Sequence, residues 1–335
     1  MVADTLIRVA QMNFDISLRS GLAGELRGVA YLRESLKLTV RALYHRRATD
    51  RWLRFLNSHP MFSTMLPTCP RLVNKIYRSY FSTTLCCEGR LAALQTHYGM
   101  VIRHGLAPLV ASAACAPVVL CRLAARADLG YSIQLRAAGI LDREGDLVLQ
   151  LVHGTDLVCS IAFSFMQHER GTAIGIGCLQ GPPGDAGLER IRAATRELHG
   201  LRPKNLLVRL VRQLGHDFDC PELVLVANRN RVVTNASRKG KVHADYDALW
   251  EELHAWRRPD GDFGLACEDL PAPCMESIPS KKRSEARKRH ELLLAAIDAI
   301  RTHLARAKRE SSTLRLVYSA DAVQDTPAQA LRNRA

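Results

Sequence analysis

The sequence lacks the residue patterns of the commonest metal and nucleotide sites. None of its ten cysteines forms a Cys-x-x-Cys pair, which argues against a structural zinc site. It also contains no Gly-x-Ser-x-Gly elbow, Walker phosphate loop or His-Glu-x-x-His pair, so the signatures of common hydrolases and zinc proteases are missing. Cys159 and Cys178 lie in apolar, strand-like segments, which favours buried, reduced thiols. We predict no metal and no cofactor, and no catalytic residue can be named.

Long apolar segments are scarce as well. Residues 1–11 lack the basic start and continuous apolar core of a secretory signal. Residues 105–121 carry no charge, but they contain Pro108 and Pro117 and are fewer than the roughly 20 residues of a spanning helix. We expect a buried or interfacial helix pair there and no transmembrane span. A cytoplasmic location is predicted, with peripheral contact at the inner membrane as an alternative.

Positive charge dominates what is present. The chain has 47 Lys and Arg against 33 Asp and Glu, a net charge of +14 and a pI of about 9.6, which favours an anionic partner. Residues 190–241 and 281–309 are basic, whereas residues 245–276 are acidic. These segments either neutralise one another in the fold or leave basic side chains free for a partner. Nothing in the pattern predicts specific nucleic-acid recognition.

Hydrophobic spacing predicts helices in the first part of the chain and again at its end. Leu32, Leu36, Val40 and Leu43 recur at helical spacing, with Arg41 on a polar face. A last long helix is predicted over residues 279–309. We therefore divide the chain into a helical N-terminal extension (1–68), a main domain (69–310) and a flexible tail (311–335).

Alternating apolar residues predict a sheet from residue 131 onward. Four strand segments, 133–137, 147–152, 157–166 and 172–179, are separated by short polar links, which is typical of antiparallel neighbours. Two helices follow, and then an almost wholly apolar strand at residues 222–228. A strand, crossover helices and a second strand imply a parallel pair. The predicted fold class is therefore α+β, with a mixed central sheet, a helical N-terminal layer and a long C-terminal helix.

Seven separated strings resemble those of the VirK/YbjX family of bacterial virulence-associated proteins. They lie at residues 71–78 (RLVNKIYR), 94–98 (LQTHY), 177–181 (GCLQG), 200–204 (GLRPK), 226–228 (VAN), 244–253 (ADYDALWEEL) and 278–283 (IPSKKR). The resemblance spans about residues 70–309. It implies a part in virulence, envelope defence and the response to host antimicrobial peptides, and it carries no established catalytic residue to this chain.

The order of elements also resembles that of the Gcn5-related N-acyltransferases. In that superfamily a loop and the following helix N-terminus hold the pyrophosphate of coenzyme A through backbone amides. The equivalent loop here contains Gly181, Gly184 and Gly187, which we predict as cofactor-binding residues in this alternative. Pro182 and Pro183 remove two amide donors from the same loop. The alternative to a binding protein is thus an acyl-CoA-dependent N-acyltransferase.

A basic cluster opens the last predicted helix. It consists of Lys281, Lys282, Arg283, Arg287 and Lys288. Positive side chains near a helix N-terminus oppose the helix dipole, so the cluster calls for another explanation. Either the side chains pair with the acidic segment 245–276, or they form an anion-binding surface for a lipid head group, a phosphate or an acidic protein.

Two polar groups are predicted to be structural. His97 and Tyr98 are adjacent on a predicted helix, so their side chains diverge, and packing is favoured over an acid–base pair. Residues 216–219 (HDFD) hold potential metal ligands, but no other ligands can be placed beside them. We expect a turn before a buried strand at that point.

Overall fold

The computed structural model describes residues 15–22, 27–126, 130–233 and 245–324, with side chains of the last helix up to residue 312. Nine α-helices lie within the described residues. They are α1 (Gly28–Tyr44), α2 (Arg46–Leu56), α3 (Met61–Met65), α4 (Cys87–Arg103), α5 (Ala107–Cys115), α6 (Gly184–Glu197), α7 (Pro203–Asp217), α8 (Tyr246–Glu252) and α9 (Ser280–Gln324). Short 3₁₀ turns occur at Leu18–Gly21, Pro70–Leu72, Lys75–Tyr77 and Asn228–Asn230.

Eight strands form one mixed sheet. They are β1 (Val118–Arg122), β2 (Tyr131–Ala137), β3 (Leu147–His153), β4 (Asp156–His168), β5 (Gly171–Gln180), β6 (Glu222–Leu225), β7 (Trp256–Arg257) and β8 (Phe263–Ala266). Their order across the sheet is β1-β2-β3-β4-β5-β6-β8-β7. The predicted α+β class with a mixed sheet is confirmed.

The crossover between β5 and β6 has the predicted parallel geometry. Ile174 lies opposite Leu223, and Ile176 lies opposite Leu225, while the other strand pairs of the sheet are antiparallel. Helices α6 and α7 form the connection. β6 is buried along its whole length, as expected for a strand covered on both faces.

The segment 105–121 differs from the predicted helix pair. Its first half is helix α5, but its second half pairs with β2 as strand β1, with Val118 opposite Leu135. Pro117 separates the two elements because a proline cannot continue a helix hydrogen-bond ladder. None of the helices in the described residues combines the length and the apolar character that a membrane span requires.

One large apolar core unites the helices with the sheet. Trp52 from α2 and Phe62 from α3 are buried in the same cluster as Phe163 of β4 and Leu225 of β6. The first two belong to the region predicted as an N-terminal extension, so α2 and α3 contribute to the core of the main domain. Helix α9 continues to Gln324, further than predicted. Residues 325–335 of the predicted tail lie outside the described residues.

Helix α1 has the predicted helical periodicity, but the predicted apolar stripe does not pack inward. Only Leu38 and Ala42 of this helix are buried. Leu32, Leu36 and Val40 are instead exposed, like most of the helix. Periodicity therefore predicted the helix correctly, but the face of the helix that packs against the rest of the protein carries Leu38 and Ala42 instead of the predicted stripe.

Candidate anion-binding cavity

Helix α7 starts from a sharp turn that places it against the sheet. Gly200 has a φ of +77°, a conformation that favours glycine, and Pro203 occupies the first turn of the helix. Leu206 and Leu210 are buried, and α7 contacts β4 and β5. The opposite side of α7 is thus free to present polar side chains, among them Arg209 and Arg212.

One charge pair joins helix α9 to α7, and a second joins α9 to the segment after β1. The Arg301 guanidinium donates to both carboxylate oxygens of Asp217, at 2.8 and 2.6 Å. Near the other end of the contact, Arg126 donates to Glu285 at 2.6 Å. A side chain at Gly200 would meet the Glu285 carboxylate at 3.4 Å, so the turn and α9 lie close together. Helix α9 is therefore joined to the end of α7 by the Arg301–Asp217 pair and lies close to the turn before α7 at Gly200.

The loop after β8 closes this groove on a third side. Arg212 donates to the Ala266 carbonyl at 2.6 Å and to Glu268 at 2.7 Å. The Leu270 N–H donates to the Gln213 side-chain oxygen at 3.0 Å. Because α7 contributes both Arg212 and Gln213, the helix holds the loop in place as a wall.

The result is a cavity of about 470 Å³ between α7, α9 and the loop. This volume lies within the range of small-molecule sites. Its polar wall includes Arg202, Asn205, Arg209, Arg212, Gln213, Arg289 and His290. Its apolar wall includes Leu201, Leu270, Pro271, Ile278, Ala286 and Leu293. The arrangement suits a ligand that carries both an anionic group and an apolar part.

Two of the cavity arginines have no carboxylate partner in the described part of the chain. Arg202 pairs with Glu252 at 2.8 Å, and Arg212 pairs with Glu268. No ion pair or hydrogen bond joins Arg209 or Arg289 to a described residue. Desolvation, followed by the positive charges of Arg289 and Arg212, lowers the pKa of Arg209. An anion between these guanidinium groups would replace repulsion with charge-assisted hydrogen bonds.

The predicted basic cluster lies next to this cavity but does not line it. Lys281, Lys282, Arg283, Arg287 and Lys288 are exposed at the start of α9, and the same helix presents Ala286, Arg289, His290 and Leu293 to the cavity. Within the described ranges, none of the five forms an ion pair with residues 245–276. Arg283 donates to the Ile278 carbonyl at 3.0 Å. Their anion-binding role stays a prediction.

Sequence reasoning missed the two unpaired arginines. Arg289 stood inside the basic string 287–290 (RKRH), and Arg209 stood between buried leucines of a predicted helix. Eighty residues separate them, and only the contact between α7 and α9 brings both to one cavity. The available signal was weak: Arg209 has no carboxylate at helical spacing, whereas Arg289 follows Glu285 by four residues, which is the spacing of an ion pair within one helix.

The three glycines predicted to bind a cofactor lie between the end of β5 and the first turn of α6. A side chain at Gly187 would lie 2.2 Å from the Pro182 carbonyl oxygen, and one at Gly181 would lie 2.6 Å from the Ile191 side chain. Gly184 has a φ of +75°. Close packing within the turn therefore accounts for Gly181 and Gly187, and backbone conformation for Gly184.

Helix α8 covers the place where β5 and β6 stop pairing. The Tyr246 hydroxyl accepts from the Leu179 N–H at 2.7 Å, and the Trp250 indole donates to the Val226 carbonyl at 2.9 Å. Both aromatic side chains are buried. In the acyltransferase alternative the coenzyme pocket would open between the ends of these two strands, where Tyr246 and Trp250 now occupy backbone groups.

A second polar group is buried in the core around Asp146. Its carboxylate accepts from Lys75 at 2.7 Å and from the Tyr98 hydroxyl at 2.7 Å. Tyr80 donates to the other oxygen, and the Asp146 N–H donates to Ser164 at 2.9 Å. Burial alone would raise the pKa of Asp146, but the Lys75 charge and the hydrogen bonds from Lys75 and Tyr80 lower it to about 2. Asp146 and Lys75 are both buried from solvent, which favours a structural role.

His97 is buried beside this group. The Phe165 N–H donates to His97 Nδ1 at 3.1 Å, so the neutral ring carries its hydrogen on Nε2. Within the described residues, Nε2 has no hydrogen-bond partner. Burial lowers the pKa of His97 to about 4. The predicted packing role agrees with this burial.

The fold and cavity define an α+β protein with a mixed eight-stranded sheet and an arginine-lined pocket. The DUF535 profile, described as a protein of unknown function, matches residues 27–302. Because this match covers most of the chain, the protein belongs to the DUF535 family. The predicted resemblance to the VirK/YbjX family is confirmed.

Three curated relatives show how far the similarity extends. Uncharacterized protein YbjX of Escherichia coli (strain K12) is 26% identical over 274 residues, which cover 80% of this chain and 82% of that protein. An uncharacterized Haemophilus influenzae protein is 34% identical over 122 residues, covering 35% of this chain and 40% of its own. Another from the same organism is 28% identical over 152 residues, covering 45% and 49%. No solved structure matches the chain significantly.

Proposed function

We propose that this protein binds an anionic small molecule or head group with an apolar part in the cavity between α7 and α9. The observation that carries the proposal is the pair formed by Arg209 and Arg289, two cavity arginines without a carboxylate partner in the described residues. Guanidinium groups are well suited to phosphate and carboxylate because their donors form a planar fork. The apolar wall around Leu201 and Leu293 would hold the remainder of the ligand.

The exposed cluster on α9 extends this proposal to larger anionic partners. In this interpretation Lys281, Lys282, Arg283, Arg287 and Lys288 attract a lipid head group, a phosphate or an acidic protein toward the cavity. Long-range attraction by such a cluster accelerates association and weakens as salt rises. From the resemblance to VirK/YbjX proteins we further propose that this binding serves virulence, envelope defence and the response to host antimicrobial peptides, at a cytoplasmic or peripheral inner-membrane location.

Calorimetric titration of the full chain tests the cavity. The probes are octyl phosphate, inorganic phosphate and, as an uncharged match, octyl glucoside. We expect octyl phosphate to bind most tightly, because it uses both walls. Arg209→Gln and Arg289→Gln should each weaken its binding by about tenfold or more, since a charged hydrogen bond contributes about 1.5 to 3 kcal/mol.

Arg306→Gln is the matched control, because Arg306 lies on the same helix, pairs with Glu310 at 2.9 Å and does not line the cavity. It should bind octyl phosphate like the parent. Equal binding by the parent and both cavity variants would contradict the proposal, as would equal affinity for octyl glucoside. The combined Lys281→Glu, Arg283→Glu and Arg287→Glu variant tests the exposed cluster, and we expect it to slow association and reduce its salt dependence.

The alternative function is acyl-CoA-dependent N-acyl transfer. One observation favours it: a groove of about 670 Å³ along α6, lined by Arg192, Arg196 and Lys204, could hold phosphates. The hydrogen bonds of Tyr246 and Trp250 to the strand ends weigh against it. Calorimetry with acetyl and longer acyl coenzyme A separates the two functions. Binding that survives Arg209→Gln and Arg289→Gln but is lost in Lys204→Gln would favour acyl transfer.

A further inference from the structure

Helix α1 carries the largest group of exposed apolar side chains in the described part of the chain. Val29, Leu32, Leu36, Val40, Leu43 and Tyr44 are between 56% and 83% exposed. The other large apolar side chains that are exposed, Val119, Leu188, Trp256 and Leu294, reach only 40–47% and lie on separate elements. A contiguous apolar face of this kind marks an interaction site, whereas single exposed side chains do not.

The exposed stripe and the buried side of α1 point in different directions. At 100° per residue, Leu32, Leu36 and Val40 share one face, whereas the buried Leu38 and Ala42 lie roughly opposite. Because α1 packs against the rest of the protein through Leu38 and Ala42, the stripe faces outward along a helix of about 25 Å. A partner can cover the stripe without displacing α1 from the protein.

A row of cations borders the stripe. Arg33, Lys37 and Arg41 follow one another at a spacing of four residues and are exposed, so they lie on one flank of the apolar face. Glu34 is the sole acidic residue of α1, and it is already paired with Lys37 at 3.0 Å and with Arg33 at 3.5 Å. The helix thus offers an apolar face, a cationic flank and no unpaired carboxylate.

We infer that α1 is a membrane-surface helix that binds anionic lipid, with its apolar stripe inserted at the head-group boundary. Interfacial helices combine these two features, because apolar side chains enter the acyl region while Lys and Arg reach the charged head groups. A second copy of the chain fits less well. Its α1 would bring further cations and no complementary carboxylate, and 17 residues are short of the three or four heptads typical of a coiled coil.

The test is co-sedimentation of the full chain with vesicles of phosphatidylglycerol and phosphatidylethanolamine, compared with phosphatidylcholine vesicles. We expect clear binding to the anionic vesicles, several-fold weaker binding to the neutral ones, and a decrease as salt rises. The combined Leu32→Ser, Leu36→Ser and Val40→Ser variant should lose at least tenfold in vesicle binding. Because these side chains are exposed, its thermal melting should match that of the parent.

Two further variants sharpen the result. Leu188→Ser combined with Leu294→Ser removes exposed leucines from other helices and should bind vesicles like the parent. Arg33→Gln, Lys37→Gln and Arg41→Gln combined should retain weaker binding with a smaller dependence on salt than that of the parent. Parental binding by the stripe variant would overturn the inference, as would absence of parental binding to anionic vesicles. Light scattering that shows a parental dimer, converted to a monomer by the stripe variant, would identify a second copy as the occupant instead.

Discussion

His97 should make the stability of this protein fall between neutral and mildly acidic pH. Its ring is fully buried, and its pKa is lowered from 6.5 to about 4 because burial disfavours the charged form. Below pH 6.5 the unfolded chain takes up a proton at this site, whereas the folded protein does not until about pH 4. Protonation therefore favours the unfolded state in this window, and the stability linked to His97 is fully present only above pH 6.5.

The size of the effect follows from the two pKa values. Each pKa unit corresponds to about 1.4 kcal/mol, so a decrease from 6.5 to about 4 corresponds to roughly 3 kcal/mol. This is a substantial fraction of the 5 to 15 kcal/mol by which domains are typically stable. The Asp146 carboxylate and the Lys75 ammonium act on His97 in opposite directions, so burial determines the sign.

The variant that isolates this effect is His97→Asn. The Asn side-chain oxygen can take the position of Nδ1 and accept the Phe165 N–H, but the amide does not titrate. Urea unfolding followed by circular dichroism at several pH values between about 7 and 4 gives the stability of both proteins. We expect the parent to lose about 3 kcal/mol more than the variant across this range. Parallel curves for the two proteins would refute the reasoning, whatever the stability of the variant at pH 7.

Further substitutions test the core and the turns. Asp146→Asn should lower the free energy of unfolding in urea by about 3 to 5 kcal/mol, because it leaves a buried Lys75 charge uncompensated. Adding Lys75→Met should restore part of this stability. If it restores none, the ion pair is not the cause of the loss. Gly200→Ala should destabilise the protein by about 1 kcal/mol because φ is +77°. Gly99→Ala, in the open interior of α4, should stabilise it by up to about 1 kcal/mol. A higher calorimetric melting temperature for Gly200→Ala than for Gly99→Ala would contradict this reasoning. Tyr246→Phe should cost about 1 to 3 kcal/mol because a buried backbone N–H of β5 loses its acceptor, and unchanged thermal melting would contradict that role.

Two of the strands that sequence reasoning missed, β1 and β7, lie at the edges of the sheet, whereas the third, β8, is a mostly buried four-residue strand like β6. β2 to β6 are buried over most of their residues, so apolar alternation and turn residues marked them. β7 has two residues, both exposed, and β1 follows Pro117 inside an Ala-rich segment that looked helical. A short edge strand is defined by the neighbour that it pairs with, and its own side chains carry little signal.

The charged residues show the same division. The sequence revealed a basic segment at the start of α9 and an acidic one before it, but not whether they pair. In the described residues the acidic side chains pair elsewhere: Glu268 with Arg212, and Glu252 with Arg202. Which charges meet depends on how α7 and α9 are placed, and sequence separation does not encode that placement.

The sequence by itself determined the α+β class, the parallel crossover between β5 and β6, the helical character of α1 and the family resemblance. Each of these depends on local periodicity, turn residues or short strings, which are physical properties of neighbouring residues. Only the tertiary structure decided that Arg209 and Arg289 share a cavity, that Lys75 and Asp146 meet inside the core, and that the apolar stripe of α1 faces outward. These outcomes depend on which faces of distant elements pack together, because burial is a property of the folded arrangement and not of any one segment.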